Sequence, residues 1–304
     1  MRIKVLGAAA GGGLPQWNCA CENCSALRRG PSRIRSRTQS QLAVTADENA
    51  WFLINASPDL REQLNRTSEI HPNPDNGLRN TPVAGVILTS ADLDHVLGLL
   101  LMREFTPVRI YASSAVRSVL QSNSFFQMLD RLPGQSRWTT IEPQVGFSLG
   151  GGVTCTPIAL PGTFPSYVAE KERIGLDAAR ITMGLLFETS EGKRFAHLPA
   201  LASVSSALKD LLSTCSVLLL DGTFWTDDEL QSIQPGTPLA RSMGHMPISG
   251  ADGSLSILGD LAGVRRIYSH INNTNPILNE RSRERRAVHD AGWEVAWDGL
   301  EITV

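Results

Sequence analysis

Apolar runs of strand length alternate with polar turns and helical stretches along most of the chain. VAGVILT, residues 83–89, is a continuous apolar run, and VLGLLLMREF, residues 96–105, follows it with apolar positions at helical spacing. The pattern therefore predicts a strand, a polar turn and a helix in that order. Further strands are predicted at residues 2–7, 40–46, 50–55, 108–113, 153–160, 180–189, 194–198, 215–224 and 264–271.

Helical stretches lie between several of these strands. SPDLREQL, residues 57–64, has a serine before the helix, a proline at its first position and acidic residues in its first turn, as helix starts commonly do. Further helices are predicted at residues 203–212, 226–233 and 279–290. Apolar strands mixed with helices indicate sheets covered by helices, so the expected class is α/β or α+β with mixed sheets. We expect a single domain over residues 1–304.

Composition and charge narrow the classes of function. The 304 residues are 42% hydrophobic, which is enough for a large core, and the net charge of −2 does not favour nucleic acid as a partner. No apolar run approaches the roughly 20 residues that span a bilayer, and the N-terminus lacks a signal-peptide core, so we expect no membrane insertion and a cytoplasmic location. The segment 28–37 carries five arginines, which could gather a carboxylate-rich ligand or simply form an exposed loop.

Three of the five cysteines, Cys19, Cys21 and Cys24, lie within six residues. Thiols stay reduced in the cytoplasm, so this cluster indicates a metal-binding knuckle over residues 19–24 rather than a disulfide. A closed zinc site needs four donors, and the fourth must come from a distant part of the chain. His270 and Asn273 are candidates by residue type, although nothing local selects either. Three free thiols in a loop are the alternative.

Polar side chains follow the ends of several apolar strands, where a crevice forms in sheets flanked by helices. His245 lies in a glycine-containing loop instead. The residues at strand ends are Asp92, Asp94, His95, His197, Asp221 and His270.

TSADLDHVLGL, residues 89–99, raises three interpretations: a metal site, an acid and base cluster, or the polar start of a helix. Asp92 precedes a predicted helix and could cap it. Asp94 beside His95 at the mouth of a buried strand has a desolvation cost unless a cation binds there. Imidazole and carboxylate together suit iron, zinc or manganese, so we predict a metal at this turn.

These residues carry a resemblance to the metallo-β-lactamase fold superfamily, whose motif is His-x-His-x-Asp-His after a strand. Residues 90–95 read Ser-Ala-Asp-Leu-Asp-His here, so only the final Asp-His pair is kept. More narrowly, VLGAAAGGGLPQWNCACENC at 5–24, SADLDHVLGL at 90–99 and YSHINNTNP at 268–276 resemble the family of pyrroloquinoline quinone (PQQ) biosynthesis protein B. The matched segments run from the N-terminus to the last third of the chain.

The resemblance implies an α+β fold, an αββα sandwich of two mixed sheets with helices outside. It also implies a role in making PQQ from a glutamate and a tyrosine of a precursor peptide. The implied reaction is iron- and O2-dependent hydroxylation of the tyrosine ring, whereas an older view makes the family a carrier that exports the finished cofactor. The family's structural Zn2+ site maps onto Cys19, Cys21 and Cys24.

The departures from the superfamily motif place a two-metal hydrolytic site in doubt. Ser90 cannot replace an imidazole, and Asp92 changes the second motif position from a nitrogen to an oxygen donor. Thr163 stands where another histidine ligand is expected, and His197 where a bridging aspartate is expected. A zinc- or manganese-dependent hydrolase therefore remains only as the alternative.

A single site with histidine and carboxylate donors is closer to the two-histidine, one-carboxylate arrangement of iron oxygenases. We predict Asp94, His95 and His270 as ligands of an active-site Fe2+, with Asp92 as a further ligand or an orienting residue. Since His270 cannot serve both sites, Asn273 becomes the candidate fourth zinc ligand. The remaining assignments are His197 and Asp221 as walls of the site and His245 as acid or base.

The expected partners follow from the same resemblance. They are a small tyrosine-containing peptide or PQQ precursor, and O2. No nucleic acid is expected, and a homodimer is left open.

Overall fold

Two seven-stranded β-sheets pack face to face in the computed structural model, which describes residues 1–104 and 106–304. The strands are β1 (Arg2–Gly7), β2 (Gln41–Thr45), β3 (Trp51–Ile54), β4 (Val83–Ile87), β5 (Val108–Ala112), β6 (Ser136–Thr140), β7 (Phe147–Gly150), β8 (Val153–Ala159), β9 (Met183–Thr189), β10 (Arg194–Leu198), β11 (Val217–Asp221), β12 (Arg265–Ser269), β13 (Trp293–Val295) and β14 (Glu301–Thr303).

Seven α-helices and several 3₁₀ helices connect the strands. The α-helices are α1 (Glu22–Arg28), α2 (Leu60–Asn65), α3 (Leu93–Val96), α4 (Ser114–Ser122), α5 (Ser206–Ser213), α6 (Ser254–Ile257) and α7 (Arg283–Asp290). The 3₁₀ helices are Ser68–Ile70, Pro74–Asn76, Leu97–Met102, Phe126–Asp130, Glu170–Glu172, Ala178–Arg180, Arg241–Met243 and Pro276–Leu278. Within the described ranges, none of these helices has the length and apolar character to cross a membrane.

Each sheet is half antiparallel and half parallel. The first has the order β14-β1-β2-β3-β4-β5-β6, antiparallel from β14 to β3 and parallel from β3 to β6. The second has the order β13-β12-β11-β10-β9-β8-β7, parallel from β13 to β10 and antiparallel from β10 to β7. In the second sheet, therefore, the carboxyl ends of β10, β11 and β12 lie along one edge.

Three apolar clusters hold the layers together. The inner faces of the two sheets share one cluster, to which Val5, Ile54 and Ile87 contribute from the first sheet and Leu185 and Leu219 from the second. Helices α2, α3 and α4 pack on the outer face of the first sheet, and α1, α5, α6 and α7 on that of the second. The architecture is an αββα sandwich, which confirms the α+β fold expected from the sequence.

The predicted strands all have observed counterparts, but four observed strands were not predicted. These four, β6, β7, β13 and β14, are the edge strands of the two sheets. They are three to five residues long and several of their side chains face solvent. An edge strand has a neighbour on one side only, so it lacks the long apolar run that identifies an inner strand.

The helix predicted over residues 96–105 is replaced by α3 and a 3₁₀ helix, Leu97–Met102; Phe105 lies outside the described residues. The backbone N–H of Gly98 donates to the Ala56 carbonyl at 2.8 Å instead of to its own helix. A Cβ at Gly98 would lie 2.3 Å from the Ser57 carbonyl oxygen. This close packing of two backbones interrupts the regular α-helical hydrogen bonds.

The prediction of a helix over residues 226–233 was wrong, since this segment forms a series of turns. The Glu229 carboxylate accepts a hydrogen bond from the Trp225 backbone N–H at 2.5 Å and another from the Thr274 hydroxyl. Burial raises the pKa of Glu229 to about 7, although both hydrogen bonds oppose this shift. The local contact with Trp225 and the tertiary contact with Thr274 outweigh the helical spacing of the segment.

We expect Leu219→Ala to lower the free energy of unfolding by about 2–5 kcal/mol, because it opens a cavity between the sheets where Leu219 is fully buried. Urea denaturation followed by circular dichroism measures the change. The matched control is Leu78→Ala, since Leu78 is fully exposed and its truncation should change stability by less than about 0.5 kcal/mol. Equal effects of the two variants would contradict the assigned core.

Candidate metal centre

The candidate centre lies where strand ends of both sheets meet. In the first sheet β4 leads into residues 90–95, and in the second sheet β10, β11 and β12 end at or beside His197, Asp221 and His270. A cavity of about 390 Å³ opens at this point. Side chains around it include Asp92, Asp94, His95, Thr163, Tyr167, Thr223, Phe224, His245 and His270.

Asp94, His95 and His270 form a first cluster, in which one ligand atom from each residue lies within 4.8 Å of the others. His270 Nε2 is 3.2 Å from Asp94 Oδ2, and His95 Nε2 is 3.9 Å from the same oxygen. Within the described part of the chain, the buried His95 Nε2 has no hydrogen-bond partner. An unpartnered buried imidazole nitrogen beside a carboxylate fits a metal ion, and this donor set suits iron, zinc or manganese.

Ser90, at the first histidine position of the superfamily motif, orients two neighbouring side chains. Its Oγ lies 2.7 Å from Asp92 Oδ2 and 2.7 Å from His95 Nδ1. Because a carboxylate accepts, Ser90 donates to Asp92 and accepts from the Nδ1–H of His95, which leaves the His95 Nε2 lone pair free for a metal. Asp92 occupies the N-cap position of α3 but its side chain makes no capping hydrogen bond.

Asp221, His245 and His270 form a second cluster within the same 4.8 Å limit, so His270 belongs to both clusters. His245 Nδ1 donates to Asp221 Oδ2 at 2.8 Å, which directs its Nε2 away from the carboxylate. Burial raises the pKa of Asp221, but the charge and hydrogen bond of His245, together with His270 and Thr223, outweigh burial and hold that pKa below the ordinary value. Asp221 is therefore a carboxylate that orients His245.

Thr223 is a functional residue that the sequence analysis missed. Its Oγ1 lies 2.6 Å from Asp221 Oδ1 and 2.9 Å from His270 Nδ1. The hydroxyl donates to the carboxylate and accepts from the imidazole N–H, which turns His270 Nε2 toward Asp94. The available signal was its position two residues after Asp221 at the same strand end.

The backbone at His270 adopts a left-handed conformation, with φ of 55°. Non-glycine residues rarely occupy this region, and the strain is of order 1 kcal/mol or more. The Ile271 N–H donates to the Ala8 carbonyl at 3.0 Å, and the Asn272 N–H donates to the Thr223 carbonyl at 3.1 Å. These contacts hold the sharp turn by which the chain leaves β12.

Asp94 and His270 form a buried hydrogen-bonded pair. Burial lowers the pKa of His270, but the hydrogen bond and charge of Asp94 outweigh burial and raise it above its ordinary value. Burial likewise raises the pKa of Asp94, but His95 and His270 hold it well below its usual range. A metal ion bound here would take the place of the proton between Asp94 and His270.

His197 lies on β10 beneath the two clusters and is buried. Burial lowers its pKa to about 3, helped by His95 and His270, so the ring is neutral. Its Nδ1 has no hydrogen-bond partner in residues 1–104 and 106–304. The structure brings His197 close to the predicted ligands, but not into either cluster of ligand atoms.

The three knuckle cysteines converge on one side chain. The amide of Asn273 lies 3.0 Å from Cys19 Sγ, 3.5 Å from Cys21 Sγ and 3.4 Å from Cys24 Sγ. Three sulfurs around one polar group fit three corners of a tetrahedral zinc site, and the Asn273 amide oxygen turned inward would be the fourth donor. His270 lies beside Asp94 instead.

Asn23 on α1 fixes the knuckle to the chain that follows His270. Its side-chain amide donates to the Asn273 carbonyl at 3.0 Å and to the Asn275 carbonyl at 2.9 Å. Asn273 is only three residues beyond His270, so one short segment carries a residue of each candidate metal site.

Comparisons with known proteins identify the family and the fold of the chain. The β-lactamase superfamily domain matches residues 50–271. Coenzyme PQQ synthesis protein B from Methylobacterium sp. (strain 4-46) is 42% identical over 305 residues, and that from Ruegeria pomeroyi is 43% identical over 311 residues; each comparison covers 100% of both chains. The chain belongs to the coenzyme PQQ synthesis protein B family.

A solved member of the coenzyme PQQ synthesis protein B family shares the whole fold. The crystal structure of Zn2+-bound PqqB from Methylobacterium extorquens has a TM-score of 0.92 and 38% identity, and the match covers 100% of both chains. The resemblance found in the sequence is thus confirmed for family and fold. That relative is a zinc-bound protein, whereas the metal-binding roles of individual residues in this chain remain predictions.

We expect Ser90→Ala to weaken metal binding at the Asp94, His95 and His270 cluster by about 10- to 100-fold, because His95 and Asp92 lose the hydroxyl that orients them. Anaerobic competition between the protein and a chelator for Fe2+ measures this change. Ser166→Ala is the matched control, since Ser166 lines the cavity but is exposed. Equal affinity in both variants would show that Ser90 does not act on the metal site.

We expect Cys21→Ser to remove knuckle zinc and lower Tm by at least about 5 °C, because structural zinc contributes directly to folding. Zinc analysis and calorimetry on the same sample measure both effects. Cys215→Ser is the control, since Cys215 lies outside the knuckle and should leave the zinc content unchanged. An unchanged Tm together with lost catalysis would mean that the knuckle serves chemistry instead.

Proposed function

We propose that this chain acts in PQQ synthesis. Support comes from full-length relatives at 42–43% identity that are named coenzyme PQQ synthesis protein B. The three segments that carry the family resemblance also contain the knuckle cysteines, the Asp94-His95 pair and His270. The segments on which the resemblance rests thus include residues of both candidate metal sites.

Within that role, we propose iron- and O2-dependent hydroxylation of a tyrosine ring. The observation that carries this proposal is the cluster of Asp94, His95 and His270, with ligand atoms within 4.8 Å of one another. Two imidazoles and one carboxylate leave coordination positions open, as in non-heme iron oxygenases. Bound iron would supply the activation of O2.

The chain's own residues position the reactants and handle protons. His95 and His270 are held by Ser90 and Thr223 with one nitrogen facing the metal position. His245, oriented by Asp221, lines the cavity and is placed to accept or donate a proton. The hydroxylation inserts one oxygen atom of O2 into a ring C–H bond and releases the other as water. An external reductant must therefore supply two electrons and two protons.

The proposed substrate is a small tyrosine-containing peptide or PQQ precursor. The cavity of about 390 Å³ falls within the range of small-molecule sites, roughly 300–1,000 Å³. Leu93, Tyr167 and Phe224 give the cavity apolar surface beside the metal position. Tyr167 also donates to the Ala91 carbonyl at 2.5 Å, which links this wall of the cavity to the turn at residues 90–95.

A metal-dependent hydrolase is the second candidate function. The observation in its favour is the cluster of Asp221, His245 and His270, which lies beside the first cluster and shares His270 with it. Zinc or manganese at such a site would lower the pKa of a bound water. A PQQ carrier without turnover is the third candidate and needs the cavity but not the metal-binding residues.

The experiment supplies the zinc-loaded protein with Fe2+, a reductant, ¹⁸O2 and a glutamyl-tyrosine dipeptide. We expect a product that contains labelled oxygen, detected by mass spectrometry. Asp94→Ala should lower its formation by at least about 100-fold, because the carboxylate ligand is lost. Asp75→Ala is the matched control, since Asp75 is exposed and outside the cavity. No labelled product from the wild-type protein would overturn the hydroxylase proposal.

The hydrolase and carrier functions predict different results with the same protein preparation. Phosphodiester or lactone hydrolysis that continues without O2 and disappears in Asp94→Ala would favour the hydrolase. Tight PQQ binding without turnover, unchanged by His95→Ala, would favour the carrier.

A further inference from the structure

A second cavity, of about 200 Å³, lies apart from the metal centre and is lined by three arginines. It is bordered by the arginine-rich segment 33–37, the beginning of α7 and the chain after β13. We call it the arginine pocket, and its lining residues are Arg35, Arg37, Glu280, Arg285, Val295 and Trp297. None of these residues lines the cavity of the metal centre.

Arg37 places a buried positive charge at this pocket. Its side chain is 5% exposed, and it donates through Nε to the Ala296 carbonyl at 3.1 Å and through Nη1 to the Arg35 carbonyl at 2.9 Å. Within residues 1–104 and 106–304, Nη2 donates no hydrogen bond and no carboxylate oxygen lies within 4 Å of this guanidinium. The charges of Asp298 and Glu280 act on Arg37 without a direct contact, and the Asp298 carboxylate itself accepts hydrogen bonds from Ala8 and Thr38. An anion in the pocket would therefore give this buried guanidinium a directly contacting negative charge.

The other two arginines add charge that the lining does not neutralise. Arg35 pairs with Glu280 at 3.1 Å and lies 5.7 Å from the centre of the Trp297 ring. Arg285 donates through Nη1 to the Ile277 carbonyl at 3.2 Å, which leaves its remaining N–H groups available. Glu280 is the acidic side chain among the six lining residues, so three guanidinium groups face one carboxylate.

Positively charged side chains continue beyond the arginine pocket. An adjoining depression is lined by Arg35, Glu280, Arg285, Arg286 and His289. Burial lowers the pKa of Arg37 to about 10 and also lowers that of Arg285, and the neighbouring arginines contribute to both shifts. A bound anion would reverse these shifts, because it favours the charged form of each guanidinium.

We propose that the arginine pocket binds a small oxyanion, the carboxylate or phosphate group of a ligand. A guanidinium presents paired N–H donors in a plane that matches both groups, and Arg37 and Arg285 hold their donors by backbone contacts before any ligand arrives. The Trp297 ring fixes Arg35 at one wall. This binding goes beyond the proposed reaction and does not depend on it, since the two cavities share no lining residue.

The test is calorimetric titration of the zinc-loaded full chain with inorganic phosphate and, separately, with glutarate. Chloride keeps the ionic strength constant, so that general screening does not contribute. We expect saturable binding of at least one anion, and the tighter of the two identifies the source as phosphate or carboxylate. Arg285→Gln should weaken that binding at least tenfold, because it removes a charged fork from the pocket.

Arg281→Gln is the matched control, since Arg281 is exposed near the start of the same helix and does not line the pocket. It should bind the anion as the wild-type protein does. Arg37 is deeply buried and its replacement tests folding as well, so Arg35→Gln serves as the second pocket variant and should also weaken binding. Three results would overturn the proposal: no saturable binding, an equal loss of binding in Arg281→Gln, or binding unaffected by both pocket variants. The last result would place the anion elsewhere, for example on a metal.

Discussion

The sharp turn at His270 is the constraint on which the rest of the site depends. With φ of 55°, the chain leaves β12 in a direction that sends the His270 ring toward Asp94 and the next residues toward the cysteines. With an extended backbone at His270, the chain would continue in the direction of β12. The His270 ring would then not face Asp94 while the next residues reach the cysteines. The Ala8 and Thr223 carbonyls accept from the two residues that follow His270, so the strain of the turn is offset by contacts from both sheets.

A common pattern prepares the three imidazoles around the cavity. Each has its Nδ1 engaged by an oxygen of a neighbouring side chain: Ser90 for His95, Thr223 for His270 and Asp221 for His245. In each case Nε2 is the nitrogen that remains for a metal, a substrate or a proton. Because Ser90, Thr223 and Asp221 lie at strand ends, the imidazole rings are oriented before any ligand arrives. This reduces the reorganisation that binding requires.

The inner strands and the polar residues at their ends were predictable from the sequence, whereas the edge strands and the hydrogen bonds that orient the imidazoles were not. The run 83–89 and the Asp94-His95 pair that follows it carry local signals of burial and polarity. β6 and β14 carry no such signal, because one side of each strand has no neighbour to bury it. Thr223 could have been noted from its place at the strand end, but the hydrogen bonds of Ser90 and Thr223 could not be inferred, since they depend on contacts that only the folded chain creates. The arginines of segment 28–37 showed charge, but the burial of Arg37 against Ala296 depends on the folded chain.

The short distance along the chain between His270 and Asn273 has a thermodynamic consequence. If both candidate sites bind an ion, the two binding events are coupled, because His270 and Asn273 are three residues apart and the position of either side chain restricts the other. If zinc in the cysteine site changes the affinity of the His270 site for its metal, then a metal at His270 changes the zinc affinity by the same factor, since coupling free energies are reciprocal. Zinc in the cysteine site would in this way influence the metal affinity of the Asp94, His95 and His270 site without taking part in a reaction.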